Sequence, residues 1–377
     1  MSRNLEIAGR VLELVAERAE AEVRVQAGPE SLTRFANSFI HQNVAEVNHR
    51  ISLKLIVDGR VASADSNETS EDDLVRLVDR TLEAAAVAPV DADWPGLASP
   101  APIPEVDHYD EATAASTPAE RAAHVKAFVD AAPDLAAAGY CDTAGLEVTY
   151  ANSAGHSAEG RATRATLDGI HQTPTSAGSA HQTAFRLADL DGAAAGQLAA
   201  QRARESADAF DLKPGEYEVV LAPEAVATIA VFLGIYGFNG KAVNEGQSFV
   251  QVGEPQFDPA FSMWDDALDP RALGIPFDTE GTPKRRLDLV AKGVTSGIAH
   301  DRRTAAKAGA KSTGHAIPGA GGFGAAPLNI FIGTGDRTLD EMIAAVERGL
   351  YVATFNYCRI LDPRTQVVTG LTRNGTF

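Results

Sequence analysis

Leu5, Val11, Leu12, Leu14 and Val15 fall at roughly helical spacing, which predicts a helix over 4–20. The period then shortens to two. AEVRVQAG alternates apolar and polar side chains, SLTRFANSFIHQN follows a Gly28-Pro29 turn, and HRISLKLIVDGRVASAD reads as a hairpin with Asp58-Gly59 at its tip. Residues 70–87 return to the helical period, opening on Ser70 with three acids in the first turn, where they face unsatisfied backbone N–H groups. The first unit is therefore helix, antiparallel strands, helix.

A stretch rich in Pro, Ala and acids (89–107) breaks the pattern. Thr117-Pro118 starts a helix extending to about residue 137, since Pro suits the first helical position. Strand-like GLEVTYANS and HSAEGRATRATLDGI follow, then a Gly/Ala-rich helix over 192–210. This order echoes the first unit, and FANSFIHQ at 35–42 weakly repeats as YANSAGHS at 150–157. Beyond Lys213-Pro214-Gly215, EYEVVLAP reads as a strand, PEAVATIAVFLGIYGF as a buried helix and TLDEMIAAVERGL as another helix among strands and Gly-rich turns. RNGTF at the end reads as an Asn-Gly turn entering a new strand, so the final domain is expected to be shortened. The fold class is α+β and multidomain: an N-terminal unit (1–88), a middle unit (108–212) and a β-rich C-terminal domain (216–377).

Composition narrows the function. The formal charge of −18 opposes nucleic acid and anionic lipid, which need a clustered positive field. Cys141 and Cys358 are the only cysteines, which excludes a disulfide framework and suits reduced thiols. The N-terminus carries charges throughout and is no signal core, and no apolar run is long enough for a membrane span, so a cytoplasmic location follows by elimination.

Motifs that would carry chemistry fail in context. The histidines at 41, 49, 108, 124, 156, 171, 181, 300 and 315 include no pair at i, i+4 or i, i+2, the spacings that turn two imidazoles toward one ion. His41 and His49 lie too far apart along an extended chain, and Asp107–Glu111 reads as a solvated turn. Ser153 in Ala151-Asn152-Ser153-Ala154-Gly155 loosely matches a hydrolase elbow, but a strand follows where a helix is needed, so Ser153 reads as a turn residue. Gly319-Ala320-Gly321-Gly322-Phe323-Gly324 matches a dinucleotide fingerprint, yet it precedes a strand-like run and reads as a loop. No P-loop spacing surrounds Gly240-Lys241 or Lys311-Ser312. In PFDTEGTPKRRLDLVAKGVTSGIAHD, Asp278, Glu280 and the cations Lys284, Arg285 and Arg286 flank a Gly281-Thr282-Pro283 turn. The segment is either a docking loop for peptide or partner, or a tight turn with surface ion pairs of small value.

Together SLTRFANSFIHQNVAEVNHRISLKLIVDGR, YANSAG, VVLAPEAVATI, FDTEGTPKRRLDLVAKGVTSGIAHD, STGHA and GLYVATFNYCRILDPRTQVVTGLTRNG make the chain resemble the TldD/PmbA family, formerly called modulators of DNA gyrase, in its TldE/PmbA branch. The resemblance implies a heterodimer whose TldD-type subunit carries zinc on an H-E-x-x-x-H helix, where the Glu acts on the water the metal acidifies. The equivalent stretch here is Val231-Phe232-Leu233-Gly234-Ile235-Tyr236, with Val231, Phe232 and Tyr236 at the ligand and Glu positions. The resemblance thus implies a cytoplasmic, non-catalytic subunit with no catalytic residue or cofactor of its own and zinc in its partner. It would help enclose a chamber for unfolded peptides, in proteolysis or peptide maturation, and could form a homodimer alone. Asp278, Glu280, Gly281, Thr282 and Arg285 are the candidate loop residues for substrate or partner. Family members continue past the position of Phe377, which puts final strands and dimer assembly in question. Two rivals stand beside this reading: a protein-binding regulator of a topoisomerase, and an independent serine or cryptic-metal hydrolase.

Overall fold

A computed structural model of the chain describes residues 2–318 and 323–377. In the first unit, helix α1 (Arg3–Val15) precedes long strands β1 (Glu20–Ala36) and β2 (Phe39–Val57), short β3 (Arg60–Ser66) and helix α2 (Glu71–Val87). In the second, α3 (Glu111–Ala114) and α4 (Pro118–Asp130) precede β4 (Ala136–Asn152), β5 (Ser157–Gln172), short β6 (Ala177–Ala184) and α5 (Gly192–Glu205). The two units share a six-stranded sheet in the order β3-β2-β1-β4-β5-β6, with β1 and β4 antiparallel at its centre. The symmetry extends to the turns. Ser153 accepts the Ala21 N–H at 3.0 Å through its hydroxyl, and Ser38 accepts the Ala137 N–H at 3.0 Å in the same way. Each Ala-Asn-Ser turn therefore clasps the start of the other unit's first strand, and the repeated letters mark equivalent turns.

Strand alternation divides the sheet. Ala21, Val23, Val25, Ile51, Leu53 and Leu55 face α1 and α2, burying Val11, Leu74 and Leu77 in one core. Phe35, Cys141, Ala165 and Leu167 pack against Val125 and Phe128 of α4 and Ala195 and Ala199 of α5 in a second. On the opposite face, Val148, Tyr150 and Ala158 meet Phe277 and Ile275 from the C-terminal segment.

That segment begins with β7 (Glu218–Leu221), α6 (Pro223–Phe232) and α7 (Gly240–Asn244). Strands β8 (Met263–Asp265), β9 (Leu287–Ala291), β10 (Val294–Thr295) and β11 (Ile330–Ile332) form a four-stranded sheet, with α8 (Arg302–Lys307) between β10 and β11. After α9 (Leu339–Ala344), β12 (Gly349–Asp362) pairs in parallel with β7 and antiparallel with β13 (Val367–Thr376). Phe238, Val250, Met263, Leu289 and Val290 form the core here. Among the described residues no helix is long and apolar enough to cross a membrane.

Several local expectations change. Gly28-Pro29 is no turn: β1 runs through it, paired with Asn48 and Val47, and the chain reverses at Asn37 and Ser38, which adopt φ values of 51° and 63°. The first helix stops at Val15 and α4 at Asp130, each earlier than the apolar period suggests. The α6 helix is only partly buried, with Ala225 and Ala230 covered but Ile229 and Val231 exposed, and TLDEMIAAVERGL yields only a short helix before β12. Asn374 and Gly375 sit inside β13 opposite Ala353 as a bulge, and Phe377 exchanges backbone hydrogen bonds with Tyr351. Of the glycine-rich run, 319–322 lie outside the described residues; the strand after it is β11.

The centre of the sheet leaves no room at Gly28. A Cβ there would lie 1.9 Å from the Gly145 carbonyl oxygen, backbone that cannot swing away. Gly28→Ala should therefore lower the unfolding free energy by at least about 2 kcal/mol, measured as a shifted denaturant midpoint; an unchanged midpoint would mean that β1 and β4 separate at little cost.

Candidate functional site

The face of the sheet turned away from the helices carries polar side chains at the even positions of β1 and β2: Glu22, Arg24, Gln26, Arg50, Ser52 and Lys54. With Tyr150, Trp94 and loops around Glu280, Asp301 and Ile317, they enclose a cleft of about 720 Å³. A cavity this size suits a small molecule or short peptide segment.

Charge pairs organise its floor. Lys54 donates to Glu22 at 2.7 Å, and the Tyr150 hydroxyl donates to the same carboxylate at 3.2 Å. Burial and the Glu22 charge push the Tyr150 phenol well above its usual range. Arg50 meets Asp65 at 3.0 Å, and the Lys54 ammonium lies 5.3 Å from the centre of the Trp94 ring.

The roof is the segment singled out by its acids and cations. One Asp278 oxygen accepts the N–H groups of Glu280 and Thr282, both at 2.9 Å, and the other accepts from Ala316 at 3.0 Å. Burial nevertheless raises the Asp278 carboxyl above its ordinary range. Gly281 turns with φ at 73° where a Cβ would meet the Tyr150 ring at 2.4 Å, and its carbonyl contacts His156 Nε2 at 2.7 Å. Asn152 arranges that contact by accepting the His156 N–H at 3.0 Å while donating to the Ala98 carbonyl at 2.8 Å. Glu280 lines the cleft and accepts the Arg302 N–H at 2.9 Å. Burial, then the neighbouring Asp278, pushes the Glu280 carboxyl up to about 7.

Asp278, Glu280, Gly281 and Thr282 are thus gathered in one turn docked on the sheet, whereas Arg285 is exposed and does not line the cleft. Glu22, Arg24, Lys54 and Trp94 were missed by motif reasoning; their one sequence signal is charge at alternate strand positions. Ser153 is held by Ala21 in its turn. His108, read as part of a solvated turn, is instead buried between the carbonyls of Gly274 at 3.1 Å and Asp269 at 2.9 Å.

Val231, Phe232 and Tyr236 lie elsewhere, on α6 and the wide turn that follows it. Over 233–237 the helix loosens to an i→i+5 repeat, with Phe238 N–H donating to the Leu233 carbonyl at 2.8 Å. Phe232 and Tyr236 stack with centroids 6.0 Å apart, and Val231 is half exposed. These side chains do not fit a zinc ion: valine and phenylalanine offer no lone pair, and one phenol is a poor ligand set. Among the described residues no three His, Cys, Asp or Glu side chains converge in a way that could hold a metal.

Residues 214–377 match the PmbA/TldA metallopeptidase C-terminal domain, and residues 21–85 match PmbA/TldA metallopeptidase domain 1. The chain belongs to the PmbA/TldD family. TldE from Thermococcus kodakarensis shares its fold with a TM-score of 0.83 at 18% identity, over 94% of this chain and 83% of that one. Candidate DNA gyrase modulators do likewise: one from Thermotoga maritima (TM-score 0.84, 17% identity, 99% and 89% covered) and one from Bacteroides thetaiotaomicron (0.85, 19%, 99% and 90%). A Synechocystis metalloprotease is 29% identical over 165 residues, 41% of this chain, so the match spans only 35% of that relative's length. This PmbA/TldD chain is therefore a protein of a metallopeptidase family with the α+β fold of TldE.

The raised Glu280 carboxyl makes stability depend on pH. Its folded-state value near 7 exceeds the ordinary 4.5, so the folded state holds the extra proton between those values and loses stability as pH rises through that window. Glu280→Gln keeps an acceptor for Arg302 N–H and should remove a decline on the order of 2–3 kcal/mol between pH 4.5 and 7. Melting temperatures of both proteins across this range test it; parallel curves would show a solvated carboxylate.

Proposed function

We propose that this chain is the non-catalytic TldE/PmbA-type subunit of a two-subunit zinc metallopeptidase acting on unfolded peptides, in proteolysis or peptide maturation. The observation carrying this reading is the substitution of Val231, Phe232 and Tyr236 where a zinc-bearing relative needs two imidazoles and a carboxylate. The TldD-type partner supplies the metal and its activated water, while this chain supplies wall and substrate path. The fold shared with TldE supports the pairing, and the two free cysteines suit a reducing cytoplasm.

A regulator of a topoisomerase is the second reading, favoured by the description of two structural relatives as candidate gyrase modulators. With a formal charge of −18, such a regulator would act through protein contacts, not DNA. An independent serine hydrolase has little support, because the Ser153 hydroxyl is engaged by Ala21 N–H in a hairpin turn.

Co-expression with a TldD-type subunit separates these readings. Zinc by elemental analysis should accompany the partner, and casein cleavage should require the mixture. Zinc or cleavage in this chain alone would overturn the assignment, and capture of gyrase without a metallopeptidase subunit would favour the regulator.

A further inference from the structure

Among the described residues, the floor of the cleft holds one unmatched cation. Lys54 is paired with Glu22, Arg50 with Asp65, and Arg303 with Asp91 at 2.9 Å from its Nη1. Arg24 stands between Tyr150 and Ser52 on the neighbouring strands, lines the cleft, and has no carboxylate or hydrogen-bond partner among the described residues. Its Nε is wholly buried, and the buried indole N–H of Trp94, on the same cleft wall, likewise meets no acceptor among them. Burial, then the nearby Arg50 charge, lowers the Arg24 guanidinium from its ordinary range. An uncompensated charge in such a place is costly, and a bound counter-anion would offset that cost.

We infer that the Arg24 guanidinium receives a ligand's carboxylate in this cleft and that the ligand is a short peptide. A guanidinium fork matches a planar carboxylate through two parallel hydrogen bonds. The remaining surroundings select against a richer anion. Of the acids that line the cleft, Glu22 and Asp65 are matched by Lys54 and Arg50, which leaves Asp301 and Glu280 with Arg24, so the singly charged carboxylate of an otherwise neutral or cationic chain suits the site better than a doubly charged phosphate or a nucleotide. The assignment of the ligand as peptide rests on the proposed role in a peptidase; recognition of the carboxylate rests on the cleft alone.

The full chain, without a partner, is titrated calorimetrically with four probes. These are tetra-alanine with a free C-terminus, its C-terminal amide, an N-acetylated alanine peptide amide bearing one internal Asp, and inorganic phosphate. Tetra-alanine should bind saturably, weakening about tenfold or more on amidation and by a similar factor in Arg24→Gln, with amidation causing no further loss in that variant. Binding of the Asp peptide at equal strength would support carboxylate recognition with a side chain as its source. Equal binding by Arg24→Gln, phosphate binding as tight as peptide, or no saturable binding up to millimolar probe would each overturn the inference. Should Arg24→Gln fail to fold, the amide comparison on the unaltered chain still decides. Casein cleavage by the assembled pair is measured separately, so failure of the carboxylate site leaves the subunit assignment standing, and the reverse.

Discussion

The antiparallel pairing of β1 with β4 is the constraint on which the rest of the molecule depends. These strands, 17 residues each, join two helix-and-sheet units into a common sheet. Their alternation sends one set of side chains into the helix-covered cores and the other toward the cleft, and a one-residue slip would exchange the two sets. Two features hold the register. The Gly28–Gly145 crossing admits no side chain, and each unit's Ala-Asn-Ser turn is bonded to the first strand of the other. The weak sequence repeat thus has a structural meaning: the turn serves the neighbouring unit as much as its own hairpin.

From that pairing follows the electrostatic character of the cleft. Charged residues on a sheet face are inexpensive in water, but here the C-terminal segment covers the face and raises the cost of every unpaired charge. Asp278 is satisfied by backbone N–H groups, Glu22 by Lys54 and Tyr150, and Asp65 by Arg50 and Ser52. Glu280 and Arg24 retain the strain of desolvation, one toward protonation and the other toward loss of its proton. The docking of the segment also straps the linker, since Arg302 Nη2 donates to the Leu97 carbonyl at 2.6 Å and Lys307 meets Asp93 at 2.6 Å.

The α6 region carries side chains that by themselves offer a metal no ligand set. Its helix is present and widens over 233–237, the kind of irregularity often found at functional sites. The side chains it displays are apolar or aromatic, and several are exposed. Membership of a metallopeptidase family is therefore a statement about ancestry and fold, and catalysis has to be argued from the side chains at the site.

Element types were largely legible in the order of residues, because periods of 3.6 and 2 in apolar side chains report which face of an element meets a core. The helix caps at Ser70 and Thr117 and the Asp58-Gly59 hairpin also follow from local chemistry. Element ends were less legible: β1 passes through Gly28-Pro29 because a neighbouring strand and a glycine carbonyl require an extended backbone there, and β13 absorbs Asn374-Gly375 as a bulge. His108 looked like a solvated turn residue until two distant carbonyls were placed against its ring. The sequence by itself determined the two helix-and-strand units, the acidic surface and the side chains at 231–236, since these depend on residue identity and local spacing. Tertiary structure alone decided that the units share a sheet, that the 278–282 turn roofs its polar face and that Arg24 meets no counter-charge among the described residues. Those features arise from contacts between residues more than a hundred positions apart, where the cost of burial is set by what arrives from elsewhere in the chain.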